Sequence, residues 1–322
     1  MLFKSSILCI VLTLLSLTAR AQSIPPDRLD WWRAHAPTCD APDGFRFPSK
    51  KYGAICDDGD INLFAGLLCT AGEPLGCETV KRSQGNTGRW FRSPRRAQTD
   101  NLGEKNSFSP DMAHGTELYS AVTRDRARLG LWLKWMDDVR PCIIGGGDNC
   151  VRSPLLRFCT DDTEKGCTVR PGDAAILDAT VKGLSVPLPT EDMRRLLDQA
   201  GTNLMDQVWL SSQVNAPGYS QHLVGVEILL LRKLGHTDPK LTGAASALAD
   251  KQPRNPFFQF LKEGATSRVR DLTLSLCPSP ATGLPPEMSQ WAWEREDAEQ
   301  AWKKSLLWDC IFMARLLEGG AK

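Results

Sequence analysis

The sequence predicts an all-α fold, an α/α toroid of alternating inner and outer helices with disulfide-bonded loops. Three observations carry that expectation. Helical segments that are apolar all round alternate with amphipathic ones, short turns holding Gly, Pro or Asp join several pairs, and cysteines gather in the connecting segments. At 42% hydrophobic and 24% charged residues, the 322-residue chain has a globular composition, which argues against disordered, collagen-like and fibrous classes. Its 39 basic residues against 38 acidic ones exclude a supercharged nucleic-acid binder and a polyanionic tail protein.

The N-terminus stands apart from the fold. Lys4, the apolar run Ile7–Leu17 and the small-residue site Ala19-Arg20-Ala21 read as a secretory signal peptide over residues 1–21. Residues 22–322 are then one domain, secreted or periplasmic. The apolar run is too short for a membrane-spanning helix of about 20 residues, and no other window reaches that length without charge, so no span is expected.

Along the rest of the chain, Ile61–Cys69, Leu223–Leu234 and Leu306–Leu317 are apolar on nearly every side and read as interior helices. Arg126–Val139 places Leu129, Trp132, Leu133 and Met136 on one face, and Glu191–Val208 mixes similarly, so both read as outer helices. The resulting order pairs interior 60–71 with outer 76–84, 111–123 with 126–138, 173–183 with 190–212, and 219–235 with 239–249. Two segments lack periodicity: 86–110, and a Cys-rich insertion at about 140–172 containing Gly145-Gly146-Gly147.

Cysteine usage fits export. Cys9 leaves with the signal, and three pairs are spaced eight apart around glycine: Cys69/Cys77, Cys142/Cys150 and Cys159/Cys167. Cys39 with Cys56 and Cys277 with Cys310 complete a framework of bridges. The absence of C-x-x-C argues against structural zinc.

If inner helices begin at a common basin, the residues before each interior run are the candidates for function. Asp58 and Asp60 precede the first, Ser109 and Asp111 the second, Arg170 the third, and Tyr219 and His222 open the fourth. Asp57 and Ser109 also suit plain helix capping. Asp60, Asp111 and Glu294 are expected as catalytic carboxyls, because one acid and one base are what glycoside hydrolysis needs. His222 shares a helix face with Tyr219, a pair suited to proton abstraction, and His114 lies one turn beyond Asp111. Asp58, Trp90, Arg92, His114, Arg170, Tyr219 and Trp291 are the expected substrate-binding residues. Arg92 and Trp90 belong to a stretch, Thr79–Thr99, with six basic residues and no acid, which fits an anionic glycan. Trp132, Trp135 and Trp308 fall at packing positions, leaving Trp90, Trp291 and Trp293 as sugar platforms. No metal or cofactor is required, although CTDDTEKGC, with Asp161, Asp162 and Glu164, has the oxygen ligands that calcium takes.

With helix starts such as DDGDINLFAGLLC, NSFSPDMAHGTELY and GYSQHLVGVEILLL, the chain resembles the superfamily of α/α-toroid glycosidases and polysaccharide lyases. The resemblance implies a central cleft built from inner-helix ends, with Asp60, Asp111 and His222 facing it. Three readings follow: a glycoside hydrolase using paired carboxylates; a lyase using Tyr219 or His222 with Arg92 or Arg170 against a uronate; and a non-catalytic glycan- or protein-binding protein. G-x-S-x-G, Walker, dinucleotide and H-E-x-x-H motifs are absent.

Overall fold

The computed structural model describes residues 23–50, 56–161, 165–286 and 303–319, and these are predominantly helical. The signal-peptide segment, Asp162, Glu164, Trp291, Trp293 and Glu294 lie outside the described residues. No helix among the described residues is long and apolar enough to cross a membrane.

The chain opens with α1 (Pro26–His35) and a short antiparallel hairpin of β1 (Thr38–Asp40) and β2 (Arg46–Pro48). It continues through α2 (Ile61–Thr70), α3 (Pro74–Arg82), α4 (Pro94–Gln98), α5 (Pro110–Thr123) and α6 (Arg126–Asp138). A second hairpin, β3 (Cys142–Ile144) and β4 (Val151–Arg152), lies in the Cys-rich insertion. Then come α7 (Pro171–Leu184), α8 (Glu191–Gly201), α9 (Leu204–Val214), α10 (Tyr219–Lys233), α11 (Pro239–Lys251), α12 (Pro256–Glu263), α13 (Ser267–Leu276) and α14 (Leu307–Gly319).

Burial alternates as the pattern demands. All of α2 and most of α5, α7, α10, α12 and α14 are buried, whereas α3, α6, α8, α9, α11 and α13 bury one stripe. Buried neighbours touch in succession: α2 with α5, α5 with α7 and α10, and α10 with α12. Phe257 of α12 meets Phe312 of α14 edge to face at 5.4 Å, and α14 packs back on α1 and α2, so the end of the chain closes on its beginning. Trp132 and Trp135 of α6 and Trp308 of α14 are buried, as their helical positions require.

The sequence reading differs from the structure in several elements, among them α4, α12 and α13, for which it gave no helix. The expected 190–212 helix is two helices, because Asn203 adopts φ 65° and restarts the chain as α9. Helix α1 precedes the first expected element; its buried side chains are Leu29 and Trp32, too few for a periodicity signal.

All five expected disulfides are present: Cys39–Cys56, Cys69–Cys77, Cys142–Cys150, Cys159–Cys167 and Cys277–Cys310. Cys277–Cys310 ties α14 to the end of α13, and Cys69–Cys77 ties α2 to α3.

The tightest seam is between α2 and α5. A Cβ on Gly66 would lie 2.3 Å from the Gly115 carbonyl oxygen, and one on Gly115 would lie 2.1 Å from the Asn62 carbonyl oxygen. The two backbones therefore touch, and the Asn62 side-chain amide donates across the seam to the Met112 carbonyl (3.0 Å) and Thr116 Oγ1 (2.8 Å). Gly115→Ala is expected to destabilise the fold by about 1–3 kcal/mol through overpacking. Gly172→Ala, with nothing within 4 Å of the added Cβ, should leave the denaturation midpoint nearly unchanged. Equal midpoints for the two variants in urea melts would contradict a backbone-to-backbone seam.

Candidate functional site

Four buried helices begin at one cleft. Asp60 stands at the start of α2, Ser109 and Asp111 at that of α5, Arg170 at that of α7 and Tyr219 at that of α10; all line one open cleft of about 700 Å³ with Arg92, Asn106 and Gly166. Residues spread over most of the chain thus share one wall because four neighbouring helices run the same way from it. Helix starts carry partial positive charge, and the lining sets Arg92 and Arg170 beside Asp60 and Asp111, so full charges of both signs meet at the mouth. Another hollow, of about 500 Å³ between α10, α11 and α12, includes a single carboxylate in its lining, Asp238.

Arg92 organises the rim. Its guanidinium donates to the Gly59 carbonyl (2.7 Å), Asp60 Oδ1 (3.3 Å), the Asn106 carbonyl (2.9 Å) and Ser109 Oγ (3.1 Å). Asp60 also pairs with Lys50 at 2.5 Å. Ser109 Oγ in turn donates to Asp111 Oδ1 at 2.5 Å, so Asp60 and Asp111 are linked through Arg92 and Ser109. The Tyr219 phenol hydrogen-bonds to Asp111. Burial, then the neighbouring Asp111 carboxylate, push the phenol far above its ordinary value, so it acts here as a hydrogen-bond donor.

Other expected site residues lie elsewhere. Asp58 is 1% exposed and saturated by Ser93 (2.6 Å), Arg95 (2.9 and 3.0 Å) and Arg96 (3.0 Å), so it pins the arginine-rich segment and does not face the cleft. Burial alone would raise its carboxyl, but the Arg95 and Ser93 hydrogen bonds and the two arginine charges hold it below the ordinary range. Trp90 is fully buried and packs edge to face on Tyr119 at 6.2 Å; a core indole offers no platform to a sugar. His222 is also fully buried, against Phe257, and burial followed by the nearby His114 charge keeps it neutral. The expected Tyr219–His222 pair therefore does not meet in the cleft.

The arginine stretch is neutralised from outside itself. Arg82 pairs with Glu78 and Asp43, Arg89 with Asp161, Arg95 and Arg96 with Asp58, and Arg96 with Glu104. Asp161, one of the expected calcium ligands, takes the Arg89 guanidinium (2.7 Å) and the Ser107 backbone N–H and hydroxyl. The neighbouring Cys159 and Cys167 sulfurs are joined to each other, which removes them as metal ligands.

Beneath the rim lies a polar cluster that the sequence reading touched only through His114. His114 Nδ1 is 3.0 Å from Glu117 Oε2, and Nε2 is 3.7 Å from Glu227 Oε1. Burial, the largest single influence, would lower the imidazole. The Glu117 hydrogen bond and charge, with the charges of Glu227 and Asp173, overcome it and push it up to about 9. Burial raises both glutamates, against the opposing pull of His114, and brings Glu227 to about 7. Glu117 and Glu227 were legible only as single acids inside apolar helices, ELY and VEILLL, an anomaly that could have marked them.

Compared with known proteins, the chain matches no family model, no curated protein and no solved structure.

Asp58→Ala would leave two arginines and a serine without their buried acceptor and is expected to cost about 3–5 kcal/mol. Denaturant midpoints check this; a loss under about 1 kcal/mol would contradict a structural role. His114, raised in the folded chain, stabilises it fully below its unfolded value of about 6.5, and that contribution fades as pH rises through about 9. The stability difference between wild type and His114→Gln should therefore be largest near pH ~6 and shrink toward pH ~10. A difference independent of pH would contradict the charged pair.

Proposed function

We propose that the six buried helices close an α/α toroid, and that the protein is a secreted carbohydrate-active enzyme hydrolysing glycosidic bonds of an anionic oligo- or polysaccharide. The observation that carries this reading is the convergence of four helix starts on one cleft holding Asp60, Asp111, Arg92, Arg170 and Tyr219. An open cleft of about 700 Å³ suits a few sugar rings of a longer chain. Arg170, largely exposed at its edge, supplies a fork for carboxylate or sulfate groups on the substrate, whereas the N–H groups of Arg92 are taken by Gly59, Asp60, Asn106 and Ser109. Five disulfides fit an oxidising, extracytoplasmic destination.

The chemistry proposed is carboxylate acid/base catalysis, with Asp111 as the base at the rim. Asp60 is held by Lys50 and Arg92, whereas Asp111 receives the neutral hydroxyl donors Ser109 and Tyr219. That difference in surroundings gives the two acids different tasks. Asp111 is the carboxylate placed to take a proton from water, and Asp60 helps to fix Arg92, which braces the starts of α2 and α5. His222 is fully buried, so a lyase reading would rest on Tyr219 with the arginines of the cleft.

The test is incubation of the mature, disulfide-intact protein with neutral and acidic polysaccharides, reading reducing ends and ultraviolet absorbance together. New reducing ends without absorbance are expected, and Asp111→Asn should lower the rate about 100-fold or more with the melting temperature retained. Ultraviolet-absorbing product would select the lyase. Binding without any product would select a glycan-binding protein.

A further inference from the structure

The cleft has a floor that its rim carboxylates do not occupy. Helices α5 and α10 both begin at the cleft and pack together, so residues further along each lie progressively deeper, by about 1.5 Å per residue. On α5, Asp111, His114 and Glu117 follow at intervals of three and share a face. On α10, Tyr219, Leu223 and Glu227 follow at intervals of four.

Helix α10 is closed to solvent along most of this length. Val224, Gly225, Val226 and the run Ile228–Leu231 are buried, while Tyr219, Leu223 and Glu227 each keep accessible surface. An accessible strip therefore descends one face of α10 from the cleft, and Glu227 retains 20% of its side-chain surface at the bottom. Its neighbours along the helix on either side, Val226 and Ile228, are buried. At that level Glu227 meets His114 Nε2 at 3.7 Å, while Glu117 holds the opposite imidazole nitrogen at 3.0 Å. Glu117 is sealed, and its Oε1 has no hydrogen-bond partner among the described residues. Asp173, at the start of α7, keeps 12% of its side-chain surface and adds its charge from a third helix.

We propose that the cleft continues down this strip to Glu227, and that Glu227, held by the His114–Glu117 pair, is the proton-donating carboxyl that works with Asp111. The proposal rests on the hydrolase reading and places the acid on the floor of the site. The Glu227 proton passes to the glycosidic oxygen as its bond to the anomeric carbon breaks and the electron pair stays on that oxygen. Asp111 takes a proton from the water whose oxygen bonds to the anomeric carbon, so the sum is addition of one water. Solvent then removes the Asp111 proton and reloads Glu227.

The charges acting on Glu227 are those of His114 and Glu117 on α5 and of Asp173 and Arg170 at the start of α7. Burial leads, and the carboxyl reaches about 7, so it still carries its proton near neutrality where a surface glutamate has lost it.

The first test needs no activity. The mature protein is treated at pH ~6.5 with a water-soluble carbodiimide and an amine, which modify protonated, accessible carboxyls, and the products are mapped by mass spectrometry. Glu227 is expected to react about tenfold faster than sealed Glu117, its rate falling as pH rises through about 7. An unreactive Glu227 overturns the strip whether or not the protein is an enzyme. On a glycan that the wild type cleaves, Glu227→Gln should lower kcat about 100-fold or more, leave KM within about threefold and remove the alkaline limb of the pH profile. Glu227→Asp, which keeps a carboxyl, should recover part of the rate. An unchanged kcat, or a loss confined to KM, overturns the donor role. If the wild type cleaves no glycan, the donor role falls with the hydrolase reading, and a reactive Glu227 still establishes the strip.

Discussion

Everything at the cleft depends on the contact between the backbones of α2 and α5. Gly66 and Gly115 let the two helices approach until carbonyl oxygen meets α-carbon, and the buried Asn62 amide fixes their register with bonds to Met112 and Thr116. That register sets Asp60 and Ser109 level, so one guanidinium, Arg92, reaches both helix starts. A larger residue at either glycine would push the helices apart and break the Arg92 bridge with them. The same approach leaves the α5 face bearing Asp111, His114 and Glu117 turned toward α7 and α10, where the remaining walls of the site stand.

Charge is distributed with the same economy. A stretch with six cations and no acid of its own is neutralised by Asp43, Asp58, Glu104 and Asp161 brought from elsewhere in the chain. Because Asp58 is buried and fully bonded, it orders the Arg95–Arg96 turn that leads out of the cleft wall, while Arg92 alone of this stretch lines the cleft. Below the rim the balance reverses: His114 stands among Glu117, Glu227 and Asp173. The site thus sets two arginines beside two aspartates at the mouth and three carboxyls around one imidazole below.

Much of this was legible in the sequence, for identifiable reasons. Runs apolar all round, such as INLFAGLLC and LVGVEILLL, have no polar face to give to water, so their burial follows from composition alone. Cysteine pairs eight apart close their own loops, which made three bridges local questions and left few partners for the rest. The rule that residues before interior runs matter placed Asp60, Asp111, Arg170 and Tyr219 on one cleft. What failed was knowledge of partners across the fold. Nothing local tells that Asp58 is saturated by Arg95 and Arg96, that Trp90 is covered by Tyr119, or that His222 faces Phe257. Glu117 and Glu227 belong together only because α5 and α10 touch, a contact between segments about a hundred residues apart.

The central claim is that ligand binding and chemistry occur where the four buried helices begin. Hydrogen–deuterium exchange of the mature protein with and without a uronic-acid oligosaccharide tests it most directly. The account predicts slowed exchange confined to the segments around Asp60, Ser107–Asp111, Gly166–Asp173 and Tyr219–Leu223. Protection centred instead on the exposed Ile143, Ile144 and Val151 hairpin, or an exchange pattern unchanged by acidic and neutral glycans alike, would contradict it.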